Sequence, residues 1–196
     1  EAGQIREGLA KSHIEERLSM RDALASTRSG AAMARIVAAQ PPDPRIQQWL
    51  DEADGDFKFR KFRHALSEYQ HVLKLDGTRG SLGAAERARI YQNIGVSYRM
   101  LGLAEESVAF LEKAVKEMPG SSSTYYQLAL ALSTAGKFMS ALEALDLSLK
   151  FAHSNADLRV TLLLARTDTE LEPVRDLPGF QRLLAQYSGR ARASLK

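Results

Sequence analysis

Of the four histidines in the chain, His64 and His71 lie seven residues apart in one helical stretch. A zinc site needs three or four ligands in tight geometry, commonly with an i, i+4 pair. The chain has no Cys and no further His beside these two, so they read as ordinary surface histidines and no metal is expected. Carboxylates cluster twice, Glu105 with Glu106, and Asp168 with Glu170 and Glu172. Such acids could do general acid/base work. Both groups, however, stand at turns or helix starts, where negative charge favours the helix dipole with no catalytic role. No G-x-S-x-G elbow, phosphate loop or dinucleotide glycine set occurs. The sequence therefore predicts no catalytic residue, no cofactor and no enzyme.

The stretch Phe57-Lys58-Phe59-Arg60-Lys61-Phe62-Arg63-His64 alternates basic and aromatic residues. Surfaces that hold phosphates and stack bases have this character, and so do surfaces that meet anionic lipid headgroups. Lys58, Arg60, Lys61 and Arg63 would then make the contact. The simpler account is a turn between two helices, with Phe57 and Phe62 in the core and the four cations solvated.

Composition bounds both accounts. The chain has 196 residues, 44% hydrophobic and 26% charged, which suits a soluble globular protein with a buried core. The formal charge is +3, and Arg190, Arg192 and Lys196 near the end could account for all of it. A near-neutral body argues against a general nucleic-acid binder with a broad basic face. The absence of Cys excludes disulfides and thiolate chemistry but suits either a reducing or an oxidising compartment. No run of 18 apolar residues exists, so no transmembrane segment is expected. The chain begins at Glu1 rather than Met, which leaves an upstream leader open. A cytoplasmic location, or a periplasmic one in a bacterium, fits equally.

The elements that position these residues emerge from an internal repeat. Tyr91, Ile94, Gly95 and Tyr98 are followed by a turn at Gly102, then by Ser107, Leu111, Ala114 and Pro119. Adding 34 to each gives Tyr125, Leu128, Ala129, Leu132, Gly136, Ala141, Leu145 and Ser148, and only His153, where Pro would fall, departs clearly. Gly102 and Gly136 suit the positive φ that ends a helix. Pro119 and Gly120 stop the second helix, and one of Ser121 to Ser123 can cap the next.

Two copies in tandem at this period resemble the tetratricopeptide repeat (TPR) family, of the bacterial scaffold type, whose unit follows the pattern W-x2-L-G-x2-Y, then A-x3-F, then P. The resemblance implies an all-α protein, a right-handed α-solenoid of tandem helix-turn-helix units. Gly95 and Ala129 would then be small because the two helices of a unit approach closely there. The units fall at 88–121 and 122–155. An irregular unit at 46–76 places Ala65, Tyr69 and Val72 on its second helix, Trp49 and Ala53 on its first and Phe62 in its turn; Glu52 and Asp56 sit where apolar residues are usual. A glycine-containing linker at 77–87 follows it, expected as an exposed loop or a lengthened helix start. Residues 1–45 read as N-terminal helices divided at Gly30, either an eroded unit or a cap over the open end of the stack. Residues 156–187 resemble the closing helical module that follows such repeats: Leu158, Leu162 and Leu163 form an apolar face, and Leu171, Val174, Phe180 and Leu183 pack onto the last unit. A frayed end is expected from Gln186, with 188–196 as a basic tail.

The resemblance also implies a concave groove lined by the first helix of each unit. The inward positions are Arg89, Gln92, Asn93, Val96 and Arg99, then Ser123, Tyr126, Gln127, Leu130 and Ser133. Such a surface suits an extended protein or peptide segment held by amide hydrogen bonds around an apolar centre at Tyr126 and Leu130. The alternative is that these residues are exposed only because they are not core. Co-chaperone members that grip a terminal carboxylate use Lys and Asn positions of which only Asn93 is kept; Leu50, Asp54, Ser123 and Gln127 stand at others, so that subclass is disfavoured. The expected function is a non-catalytic interaction scaffold within a multi-protein assembly. The alternatives are a self-associating structural component and an accessory that binds an anionic surface through residues 57–64.

Overall fold

The computed structural model describes residues 44–77 and 80–193. The expected helices and repeat within 1–43 lie outside the described residues. Every element below belongs to one compact unit, Asp43–Thr78 with Leu82–Lys196.

That unit is built of helix pairs: α1 (Pro44–Lys58) with α2 (Phe62–Asp76), α3 (Ala84–Met100) with α4 (Ala104–Glu117), and α5 (Ser122–Thr134) with α6 (Phe138–Lys150). Then come α7 (Asn155–Thr167), a 3-10 turn (Thr169–Leu171), α8 (Glu172–Arg175) and α9 (Pro178–Ala193). No strand occurs among the described residues. Each pair packs on the next, α2 against α3 and α4 against α5, so the fold is an all-α solenoid.

The tight crossing inside the second pair sits where the repeat places its small residue. A Cβ on Gly95 would stand 2.6 Å from Leu111 Cγ and 3.2 Å from the Ser107 carbonyl oxygen, so only glycine fits without a shift. Gly102 and Gly136, at the turns after α3 and α5, have φ of 79° and 75°. The helices start where capping chemistry allows: Ser121 accepts from the Thr124 amide (3.3 Å) and Ser154 from that of Asp157 (3.1 Å).

In the first pair, Ala65, Tyr69 and Val72 on α2 are fully buried against Ile46, Leu50 and Ala53 on α1. Glu52 is exposed and Asp56 only half-buried, so the carboxylates unusual for the repeat avoid the core. Leu82 is buried, and its amide donates to the buried Asp76 carboxylate at 2.8 Å.

The closing module begins as the sequence suggests, with Leu171, Val174, Phe180 and Leu183 in the core. Two expectations fail there. Leu163 is 59% exposed although Leu158 and Leu162 are buried. The end does not fray from Gln186: α9 runs on to Ala193 because Tyr187 and Ala191 are buried, and Tyr187 donates to Asp146 on α6 at 2.8 Å.

Candidate functional site: the face of the first helices

Arg89, Gln92, Asn93, Val96 and Arg99 recur every three or four residues and so share one side of α3. Hydrogen bonds to both neighbouring helices show that α1, α3 and α5 form one continuous face. Arg89 Nη1 donates to both Asp54 oxygens on α1, at 2.7 and 2.6 Å. Thr124 on α5 donates to Gln92 at 2.6 Å, and Arg99 Nη2 donates to Gln127 on α5 at 2.9 Å.

The N-terminal part of this face is a closed polar network. The Tyr69 hydroxyl donates to Asp54 and accepts from Asn93 Nδ2 at 2.8 Å. Burial, then the bond to Asp54, pushes the Tyr69 hydroxyl well above its ordinary titration range. For Arg89, burial acts against the charge, but the Asp54 carboxylate outweighs it and the guanidinium is held more firmly protonated. The acid at the position where a carboxylate-gripping repeat would carry a donor thus neutralises the nearest arginine.

The C-terminal part is covered by the chain itself. Tyr126 and Leu130, expected at the apolar centre of an open groove, are 7% and 3% exposed. The turn at Thr169–Leu171 packs against α5. Tyr126 donates to Asp168 Oδ2 at 3.2 Å, and Ser133 Oγ donates to the Glu170 carbonyl at 2.5 Å. The Glu170 carboxylate pairs with Arg99, whose side chain is 9% exposed. Arg99 Nε is buried with no hydrogen-bond partner. Burial and then Asp168 raise the Tyr126 hydroxyl. Of the acids in the 168–172 cluster, two hold this turn in place while Glu172 is exposed.

What stays open lies on both sides of the start of α5. A cavity of about 430 Å³ between α5 and α7 is floored by Tyr126, Val160, Thr161 and Leu164, with Gln127, His153 and Asp157 around it. A smaller one, about 220 Å³, is lined by Arg89, Gln92, Met118 and Thr124. Ser121 and Ser123 border both. Sequence reasoning missed Val160 and Leu164. Their signal was an i, i+4 apolar pair beside the Leu158/Leu162 pair.

The basic stretch forms the α1–α2 turn. Phe57 and Phe62 are half-buried, edge to face at 5.9 Å, and Phe57 also meets Tyr69 at 6.4 Å. Lys58, Arg60, Lys61 and Arg63 are all exposed. Lys61 pairs with Asp56 at 2.9 Å, and His64 lies 3.7 Å from the same carboxylate. His71 packs on Trp49, ring centres 4.6 Å apart. No group of His, Cys, Asp and Glu that could hold a metal occurs among the described residues. No described helix is long and apolar enough to cross a membrane.

Stacked helix pairs presenting a polar face of first helices define a helical repeat protein. A tetratricopeptide repeat model matches residues 88–119, the α3–α4 unit. No curated protein matches in sequence. Among solved structures, BtubC (BKLC) from P. vanneervenii is similar at 18% identity, covering 89% of this chain and 74% of that one with a TM-score of 0.62, which shows the fold. The TPR2B domain of yeast Sti1, solved with pHsp70, matches at 20% identity over 76% of this chain and 99% of its own, TM-score 0.49. The Sgt2 TPR domain from Aspergillus fumigatus matches at 15% over 80% and 85%, TM-score 0.49.

Proposed function

We propose that the chain is a non-catalytic interaction scaffold that takes an extended protein segment across the open part of the first-helix face. The observation that supports this most directly is the pair of cavities meeting at Ser121 and Ser123. One is largely apolar and open at Val160 and Leu164, the other polar at Arg89 and Gln92. An extended peptide matches that pattern, with one apolar side chain seated between α5 and α7 and its backbone amides meeting hydroxyl and amide side chains. Of the groove residues read from sequence, Arg89, Gln92 and Gln127 border this path. Asn93, Arg99, Tyr126 and Leu130 support it from beneath, and Val96 is half-buried beside them.

A phage-displayed random peptide library selected on the whole chain tests this reading. Selected peptides should bind the parent and lose about tenfold or more in affinity on Val160→Asp with Leu164→Asp. Both side chains are exposed, so melting should stay close to that of the parent. Peptides that bind the double variant undiminished would defeat the proposal.

A further inference from the structure

The α1–α2 turn differs from its two counterparts in ways that cost stability. The second residue after the first helix is Gly102 or Gly136 in the later pairs, where φ is 79° or 75°; in the first pair it is Arg60, at φ 62°. A side chain there is strained, and outliers of this kind concentrate at functional positions. The residue before it is Leu101 or Ala135, each half-buried, in the later pairs, but here it is Phe59, 73% exposed. Its near neighbours in sequence Lys58, Arg60 and Arg63 are exposed and make no ion pair among the described residues, while Lys61 takes up Asp56.

We propose that this turn docks the protein on an anionic lipid bilayer, with Phe59 inserted at the headgroup boundary and Lys58, Arg60 and Arg63 against the lipid phosphates and carboxylates. An exposed apolar side chain in one turn with unpaired exposed cations is the combination that interfacial binding rewards. Turns between the helices of stacked pairs share one edge, and the later ones add exposed Met100, Leu103, Phe138 and Met139. The second and third turns are tied together by Lys137 and Glu105 at 2.6 Å, which leaves Glu106 as an exposed acid there and the cation surplus at the first turn. Lipid is favoured over single-stranded nucleic acid because the edge offers aliphatic and thioether groups. Phe57 and Phe62 are engaged with each other, so Phe59 alone is free to stack a base among the cations. This inference is independent of the peptide path, which involves other residues.

Co-sedimentation of the whole chain with phosphatidylserine–phosphatidylcholine vesicles, with pure phosphatidylcholine vesicles as reference, tests the proposal. The protein should pellet with the anionic vesicles and not with the neutral ones. Phe59→Ser should weaken binding about tenfold. Arg60→Gly should weaken it about fivefold, as for one cation at a charged surface, while melting at or above the parent because glycine relieves the turn. No sedimentation with anionic vesicles, equal sedimentation with neutral ones, or binding unchanged by both variants would overturn it. So would tighter binding to oligothymidine than to the anionic vesicles.

Discussion

Two glycines inside helices show how much a single Cβ decides. Gly95 lies against Leu111 and Ser107, whereas a Cβ on Gly55 in α1 meets nothing within 4 Å. Gly95→Leu should lower stability by about 1 to 3 kcal/mol or more through overpacking, while Gly55→Ala should raise it by about 0.5 to 1 kcal/mol through helix propensity. Paired denaturant melts check both signs, and a neutral Gly95→Leu would place the tight crossing elsewhere. Glu68 on α2 carries a different liability. Burial, then Asp56 and Glu52, push its carboxyl above the ordinary 4.5, and Oε2 has no hydrogen-bond partner. A raised pKa means that Glu68 stabilises the fold most when protonated, below 4.5, and that this contribution is lost as pH rises through the folded value. Glu68→Gln should therefore melt higher than the parent at neutral pH, and the difference should vanish in acid.

At the scale of elements, the Asp168–Leu171 turn ties α3 and α5 to the closing module. Glu170→Ala would strand the Arg99 guanidinium, which has few other partners and little access to water. Breaking a buried pair from one side costs about 3 to 5 kcal/mol, and the partial exposure of Glu170 reduces this to about 2 kcal/mol. Replacing both, Arg99→Met with Glu170→Leu, should recover most of the loss, since an apolar pair needs no charge compensation. A double-mutant cycle by urea melting measures it, and a double variant as unstable as the sum of the single changes would contradict this account.

At the scale of the whole molecule, three tyrosine hydroxyls join distant elements: Tyr69 links α2 to α1 and α3, Tyr126 links α5 to the 3-10 turn, and Tyr187 links α9 to α6. All three titrate above the ordinary 10; Tyr187 is pushed up to about 12 by burial and then by Asp146. Because the folded values are raised, the unfolded chain holds fewer protons above pH 10. The stability that the three contribute is whole below that pH and is lost as pH climbs through the folded values. Melting temperature should therefore fall steeply above pH 10, and Tyr187→Phe should fall less steeply than the parent.

The repeat could be read without a structure because its requirements are local. Gly95 and Ala129, Gly102 and Gly136, and Ser121 before α5 each answer a constraint met within a single helix pair or turn, so period and residue type suffice to place them. The same locality made Phe57 and Phe62 readable as a packed pair. Coverage is not local. Leu163 stands 34 residues after Ala129, at the small position, yet it is exposed because the chain after Thr167 goes into the turn and α8 before α9 rather than into a tightly packed second helix. Tyr126 is engaged by Asp168, 42 positions away, and Arg99 is paired across 71. Residue type and period settle which positions are apolar, small or charged and on which side of which helix they fall. Which of those sides the rest of the chain covers follows from the packing of distant segments, because helical periodicity specifies a direction around the helix axis but not what another segment brings to it.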